Sequence, residues 1–141
     1  MNQDKNIGLI FKILSNQMKR KIDSKLHNHV TNIQMFILRY IDNTQDDIYQ
    51  KNIEQVLDIR RSTTTEILNV MEREGLIERK SIDNDKRKRK IILTSKGKEY
   101  VNTCKKTISE IEEALLENIT EKEKEVFFNV LEKIKNNINN I

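Results

Sequence analysis

Two short runs hold most of the side chains able to do chemistry. The first is Arg60-Arg61-Ser62-Thr63-Thr64-Thr65, followed at helical spacing by Glu66, Asn69 and Arg73. The second is Lys86-Arg87-Lys88-Arg89-Lys90, preceded by Asp83-Asn84-Asp85. Serine and threonine hydroxyls suit phosphate oxygens and base edges, and arginine suits phosphate or guanine. Three successive threonines cost a helix about 0.5 kcal/mol each relative to alanine. A helix that keeps them answers to a surface task or to packing. Thr64 is in step with Ile67, Leu68 and Met71, so it is read as packing, and Thr63 and Thr65 are left for the surface. The plain readings are that Ser62 only caps a helix and that the basic run is a solvated face. The basic run lies between two β-prone segments and directly after the threonine-rich helix, which favours a joint role for the two.

Other chemistries lack their residue sets. His27 and His29 are the only histidines, alternate by two and have no cysteine close in sequence, so they are read as surface or interface imidazoles rather than metal ligands. Cys104 is the one cysteine. It cannot form an internal disulfide, and it fits a reducing compartment. Lys105 and Lys106 lie beside it, but a packed, inert thiol is the default. No Ser-His-Asp set, glycine-rich phosphate loop or pair of catalytic carboxylates can be assembled. No enzyme, metal or cofactor is therefore expected. Glu121-Lys122-Glu123-Lys124-Glu125 reads as a solvated first helical turn.

The elements that must position these residues follow from composition and periodicity. The chain has 141 residues, no proline and three glycines, with 36% hydrophobic and 34% charged residues and a formal net charge of +4. Long helices in one domain, residues 1–141, are favoured. A first helix is expected from about Lys5 to Lys25, with Ile7, Phe11, Leu14, Met18 and Ile22 on one face. Thr31 and Gln34 form a capping box for a second helix, whose apolar side is Met35, Phe36, Leu38 and Ile41. Ile48 to Leu57 reads as a short helix with Ile53, Val56 and Leu57 inward, Asp58-Ile59 as a tight turn, and Arg61 to Glu74 as a second helix. Gly75 is placed to stop that helix in a left-handed conformation, with Leu76 folding back on Met71. Leu76-Ile77 and Lys90 to Leu93 then flank a charged hairpin tip, Asp83 to Lys90. Thr94 caps a helix to about Asn118, and Thr120 with Glu123 caps the last one. There Phe127, Leu131, Ile134, Ile138 and Ile141 form a heptad-like seam. Apolar stripes on both terminal helices, Ile7, Phe11 and Leu14 on the first and Phe127, Leu131, Ile134 and Ile138 on the last, are expected to be covered by a second copy of the chain.

The expected class is mainly α with a small β-hairpin. A central part, residues 46–94, carries a helix-turn-helix and a basic wing. Helical flanks, 1–42 and 95–141, serve dimerisation. The second helix of such a motif lies in the DNA major groove, and a basic hairpin can place one arginine, here Arg87, in the minor groove. Asp85 would brace that arginine or cap the turn. Met1 to Lys5 shows no signal-peptide pattern and no apolar run reaches transmembrane length, so a cytoplasmic protein without a membrane partner is expected.

The pattern from Ile48 to Gly97 resembles the MarR family of bacterial transcriptional regulators. The likeness lies in Ile48 to Ile59, in Arg60 to Leu68, in Met71-Glu72-Arg73-Glu74-Gly75-Leu76-Ile77-Glu78-Arg79, in the wing Asp85-Lys86-Arg87, and in Leu93-Thr94-Ser95-Lys96-Gly97. With flanks of matching length it covers essentially the whole chain. The resemblance implies a homodimeric winged helix-turn-helix protein that binds double-stranded DNA at a pseudo-palindromic operator. It implies repression, with release by a small aromatic or phenolic effector. Thr65 and Arg87 fall on positions that similar proteins use for DNA contact. The expected DNA-binding set is Arg60, Arg61, Ser62, Thr63, Thr65, Glu66, Asn69, Arg73, Lys86, Arg87, Lys88 and Arg89. The sequence departs from the family pattern in three ways: Asn84 stands where the wing turn often has proline, Tyr49 replaces a Ser, Thr or Asp cap, so that Asp46 or Asp47 would have to help, and Arg60-Arg61 make the recognition helix start unusually basic. The alternatives are a constitutive DNA-binding regulator and a winged-helix adaptor for another protein.

Overall fold

Most helix starts in this chain are set by a side chain within four residues. The computed structural model describes residues 6–26, 30–82 and 85–141, with backbone only for 85 and 86. Among them the order is α1 (Ile7–Leu26), α2 (Asn32–Asn43), α3 (Gln50–Leu57), α4 (Arg61–Arg73), β1 (Ile77–Ile82), β2 (Asp85–Leu93), α5 (Ser95–Leu115) and α6 (Glu121–Asn139). Thr31 Oγ1 accepts from the Gln34 amide while Gln34 Oε1 accepts from the Thr31 amide, at 3.3 and 3.0 Å. Thr120 and Glu123 do the same for α6 at 3.2 and 2.8 Å. Thr94 Oγ1 accepts from Gly97 N at 3.0 Å and starts α5. Each reciprocal cap satisfies two backbone N–H groups that a bare helix end would leave to water.

The middle helices start differently. Tyr49 has no side-chain cap bond; instead Asn52 Oδ1 accepts from the Tyr49 amide at 2.8 Å. Of the two aspartates expected to help there, Asp46 or Asp47, the second is engaged elsewhere: its carboxylate pairs with Lys90 at 2.6 Å. Arg60, not Ser62, is the N-cap of α4, and Ser62 lies exposed in the first turn. At the other end Gly75 has φ 75°. Its amide donates to Glu72 O at 3.0 Å, and Leu76 N donates to Met71 O at 2.9 Å. This Schellman arrangement closes α4 and turns the chain into β1.

The chain forms two compact units, Met1–Ile108 and Ser109–Ile141. The first holds the buried core, which runs from Leu26 and Val30 through Met35, Ile37, Leu38, Ile48, Ile53, Leu68, Met71, Leu76, Ile77 and Ile91 to Val101, Cys104 and Ile108. Three expectations about that core are corrected. Phe36 is 46% exposed and Ile37 is 1% exposed, because Gln34, Met35, Ile37 and Leu38 define the inner face of α2 and turn residue 36 outward. Val56 is 45% exposed: α3 has eight residues and offers the core only a narrow strip centred on Ile53, with Leu57 half-buried beside it. Ile48 is extended rather than helical, and its carbonyl accepts from Ile91 N at 2.7 Å, adding a short bridge to the hairpin.

β1 and β2 pair antiparallel, from Ile77 opposite Leu93 to Ile82 opposite Asp85, with a register irregularity between Ser81 and Ile82. The hairpin is therefore longer than expected, and the basic run lies in β2 rather than in a tip. The junction of hairpin and α5 is tight. Thr94 N donates to Leu76 O at 3.2 Å, Thr94 Oγ1 donates to Gly75 O at 2.5 Å and Lys96 Nζ donates to Glu74 O at 2.8 Å. Gly97 sits so close that a Cβ there would overlap the Leu76 carbonyl oxygen.

In the second unit, Asn118 takes a left-handed φ of 62° before α6. The seam of α6 is open in the single chain: Phe127 is 52% and Ile138 63% exposed, with Leu131 and Ile134 half-buried. Ile141, counted in that seam from the sequence, lies beyond the end of α6. Ile7, Phe11, Leu14 and Met18 of α1 are likewise exposed, and so are Leu9, Ile10 and Ile13, which widens the apolar surface beyond the expected stripe. Lys5, His27, His29, Asp83 and Asn84 lie outside the described residues.

Candidate nucleic-acid interface

Helix α4 buries one face and exposes another. Thr64, Leu68 and Met71 are buried, at the three- and four-residue steps of one helical side. Thr64 is fully buried, and its hydroxyl donates to Arg60 O at 3.0 Å, so it belongs to the packing as expected. The opposite side is an exposed stripe of Ser62, Glu66, Asn69 and Arg73, flanked by exposed Thr63. Arg60 and Arg61 stand exposed at the helix start. Arg73 closes the stripe about 18 Å along the axis from Arg61.

Thr65 is less available than its position suggests. Its hydroxyl donates to Arg61 O at 2.8 Å and accepts from Gln50 Nε2, also at 2.8 Å. Gln50 Nε2 reaches Arg61 O at 3.4 Å as well. The first residue of α3 is thereby tied to the first turns of α4, and Thr65 keeps a single lone pair for any outside donor.

Arg79 on β1 makes the corresponding tie at the other end of α4. Its Nε donates to Glu72 Oε2 and its Nη2 to Asn69 Oδ1, both at 2.6 Å. Only 17% of its side chain is exposed.

Between α3, α4 and β2 lies an open groove of about 930 Å³. Gln50, Arg61, Asn69, Arg79, Arg87, Lys88 and Arg89 line it, together with one carboxylate, Glu54. The fold thus brings Arg61 and Asn69 to the same groove as Arg87, Lys88 and Arg89, from runs that are far apart in sequence. Arg60, Ser62, Thr63, Glu66 and Arg73 lie outside it, on the outer surface of α4. The Lys86 and Asp85 side chains fall outside the described residues, so the bracing expected of Asp85 does too. Lys90 ends the basic run differently. The hydrogen bond that Lys90 donates to Asp47 and the attraction of that carboxylate raise its pKa above the ordinary lysine value. The pair's contribution is complete below the unfolded lysine's pKa and is lost only as pH rises through the higher folded value. Lys90 is therefore held by Asp47, while Lys88 and Arg89 are exposed.

The sequence reading missed Gln50 and Arg79. Gln50 carries no local signal, since its partner Thr65 is fifteen residues away. Arg79 had one: a reversal at Gly75 folds residue 79 back over residues 72 and 69.

A helix-turn-helix with a polar outer stripe, followed by a basic antiparallel hairpin, defines a winged helix-turn-helix, a fold built to meet a nucleic-acid duplex. The chain belongs to the MarR family, whose profile matches residues 30–88, and is a DNA-binding transcriptional regulator of that family. It is similar to S. aureus MepR in its DNA complex, with 30% identity over 94% of this chain and 98% of that one and a TM-score of 0.87. A MarR/EmrR family transcriptional regulator from Acinetobacter sp. ADP1 has the same fold, with a TM-score of 0.89 over the whole of both chains at 22% identity. Two HTH-type transcriptional regulators of Bacillus subtilis (strain 168) are also similar. YwhA is 29% identical over 116 residues, which cover 82% of this chain and 83% of YwhA. YdgJ is 29% identical over 96 residues, and the match covers 68% of this chain and 58% of YdgJ's length. Among the described residues no helix is long and apolar enough to cross a membrane.

Proposed function

We propose that two copies of this chain bind a pseudo-palindromic operator in the cytoplasm, repress transcription from it, and leave it when a small aromatic or phenolic effector binds. The observation that carries the DNA part is the groove in which Arg61 and Asn69 of α4 meet Arg87, Lys88 and Arg89 of the basic strand β2. Residues 46–94 would form the reading module and 1–42 with 95–141 the dimerisation region. Ser62, Thr63, Glu66 and Asn69 would face base edges, with Thr65 restricted to accepting. Arg60, Arg61, Arg73, Lys86, Lys88 and Arg89 would meet phosphates, and Arg87 would enter the minor groove. MepR, similar over nearly its whole length, is solved on DNA, which supports this reading. The exposed apolar faces of α1 and α6 support dimerisation. The effector rests on family membership alone.

The test is selection of genomic fragments by the full chain in the presence of competitor DNA, followed by gel shift with and without a panel of aromatic acids. Enrichment of discrete inverted repeats supports the reading. Binding with no preference over competitor would overturn it, and binding that no acid relieves would leave a constitutive regulator. An adaptor role for α4 is disfavoured because its outer stripe holds no large apolar anchor of the kind protein partners use.

The wing assignment makes its own prediction. Lys88→Ala should weaken binding to all duplexes alike and flatten the log–log salt dependence by about 0.9 for each phosphate no longer neutralised. A salt titration in which both affinity and slope stay at the parent's values removes Lys88 from the interface.

A further inference from the structure

The hydrogen-bonding polarity of Asn69 is decided before any DNA arrives. A free asparagine amide can rotate to donate, to accept or to do both, and its usual base partner is adenine, which it meets with both groups at N6 and N7. In this chain the carbonyl oxygen is already engaged. Arg79 Nη2 donates to Asn69 Oδ1 at 2.6 Å. The guanidinium is itself held by Glu72 Oε2 at 2.6 Å. A guanidinium has no acceptor, so the reverse orientation of the amide would set N–H against N–H. Chemistry alone therefore dictates which end of Asn69 faces Arg79. The other end, Nδ2, belongs to an exposed residue on the lining of the groove, and no hydrogen bond from it to another described residue exists.

We propose that Asn69 is a specificity-determining residue that presents its donor to the bases, and that the Arg79–Glu72 pair is the positioning device that makes it so, by holding the amide oxygen, with its one remaining lone pair, on the Arg79 side. A donor aimed at the major-groove edge is matched by guanine O6 and N7 or thymine O4. Cytosine offers only the opposing N4 amino group; adenine offers one acceptor, N7, but sets the N6 amino group beside it, where the amide oxygen turned to Arg79 does not receive it. Each half-site therefore carries one position that selects a keto base over an amino base. The inference rests on the reading that α4 lies in the major groove, and it adds to that reading which base class one position takes and why. Arg79 lies on the wing strand β1, so the base preference of the recognition helix is set in part by a residue of the wing.

The experiment is enrichment of a randomised duplex library by the full chain and by three variants. Asn69→Ala locates the position, since it should flatten preference there and nowhere else. At that position the parent should favour guanine or thymine over adenine or cytosine by about fivefold or more, the effect of roughly one good hydrogen bond. Arg79→Met releases the amide oxygen and should move the preference to adenine. Asn69→Asp keeps a partner for Arg79 but accepts only, and should move the preference to cytosine. It provides the second reading should Arg79→Met melt early. A brace that merely held β1 against α4 would change stability and leave the base profile alone. An adenine preference in the parent, an Asn69→Ala variant that flattens no position, or an Arg79→Met or Asn69→Asp variant that folds with the parent's profile each overturns the proposal while leaving DNA binding in place. A parent that enriches no sequence overturns the DNA reading itself, and the assignment of Asn69 with it.

Discussion

Replacing Phe127 and Ile138 together by glutamate is expected to leave a folded monomer whose operator affinity is about 100- to 1,000-fold below that of the parent, the range forfeited when two linked binding events become one. Both side chains are more than half exposed in the single chain, so charge at these positions costs the protomer little. In an assembly that covers the α6 seam, the same charges are buried without partners and opposed by their symmetry mates. Phe127 also packs edge-to-face on Phe128, with ring centroids 5.4 Å apart, so its loss removes a preformed aromatic anchor. Sedimentation velocity together with binding at fixed salt checks the claim. A variant that still sediments as a dimer, or a parent that is monomeric and binds its operator as tightly, would remove the terminal helices from the interface.

The second large effect falls on stability. Gly97→Ala is expected to destabilise the protein by about 2–3 kcal/mol, in the range of overpacked sites, and to lower the melting temperature by roughly 6–12 °C. On helix propensity alone the substitution would help α5 by about 1 kcal/mol. The clash decides the sign. A methyl at residue 97 meets the Leu76 carbonyl oxygen, which is backbone and cannot rotate away as a side chain could. That carbonyl is pinned by Thr94 N, and the adjoining carbonyl of Gly75 is pinned by Thr94 Oγ1. Thermal unfolding at matched protein concentration tests the prediction, and a variant that melts at or above the parent's temperature refutes the close approach. Lost stability should also reach the interface, because the same junction holds the end of α4 and the start of β1.

Much of the fold was legible because its determinants are local. The capping boxes at Thr31 with Gln34 and at Thr120 with Glu123, and the helix stop at Gly75, involve partners within five residues, and the chain cannot satisfy those backbone groups more cheaply elsewhere. The burial of Thr64 followed from helical phase alone. The apolar phase of α2 was misread at Phe36, since Met35, Phe36 and Ile37 are consecutive and only packing chooses among them. Ile48 was misread as helical because its pairing with Ile91 spans most of the central module.

By itself the order of residues determined that a polar helix and a basic segment would stand side by side on a winged helix-turn-helix, since periodicity, caps and a single glycine suffice for that. The tertiary structure alone decided how each polar group is committed. It placed the cations on a strand rather than a tip, withdrew Lys90 to Asp47, took one of the two acceptor sites of Thr65 through Gln50, and oriented Asn69 through Arg79. The reason is physical: a hydrogen bond or ion pair depends on ångström distances between groups remote along the chain, and no local pattern records which of several possible partners comes within reach.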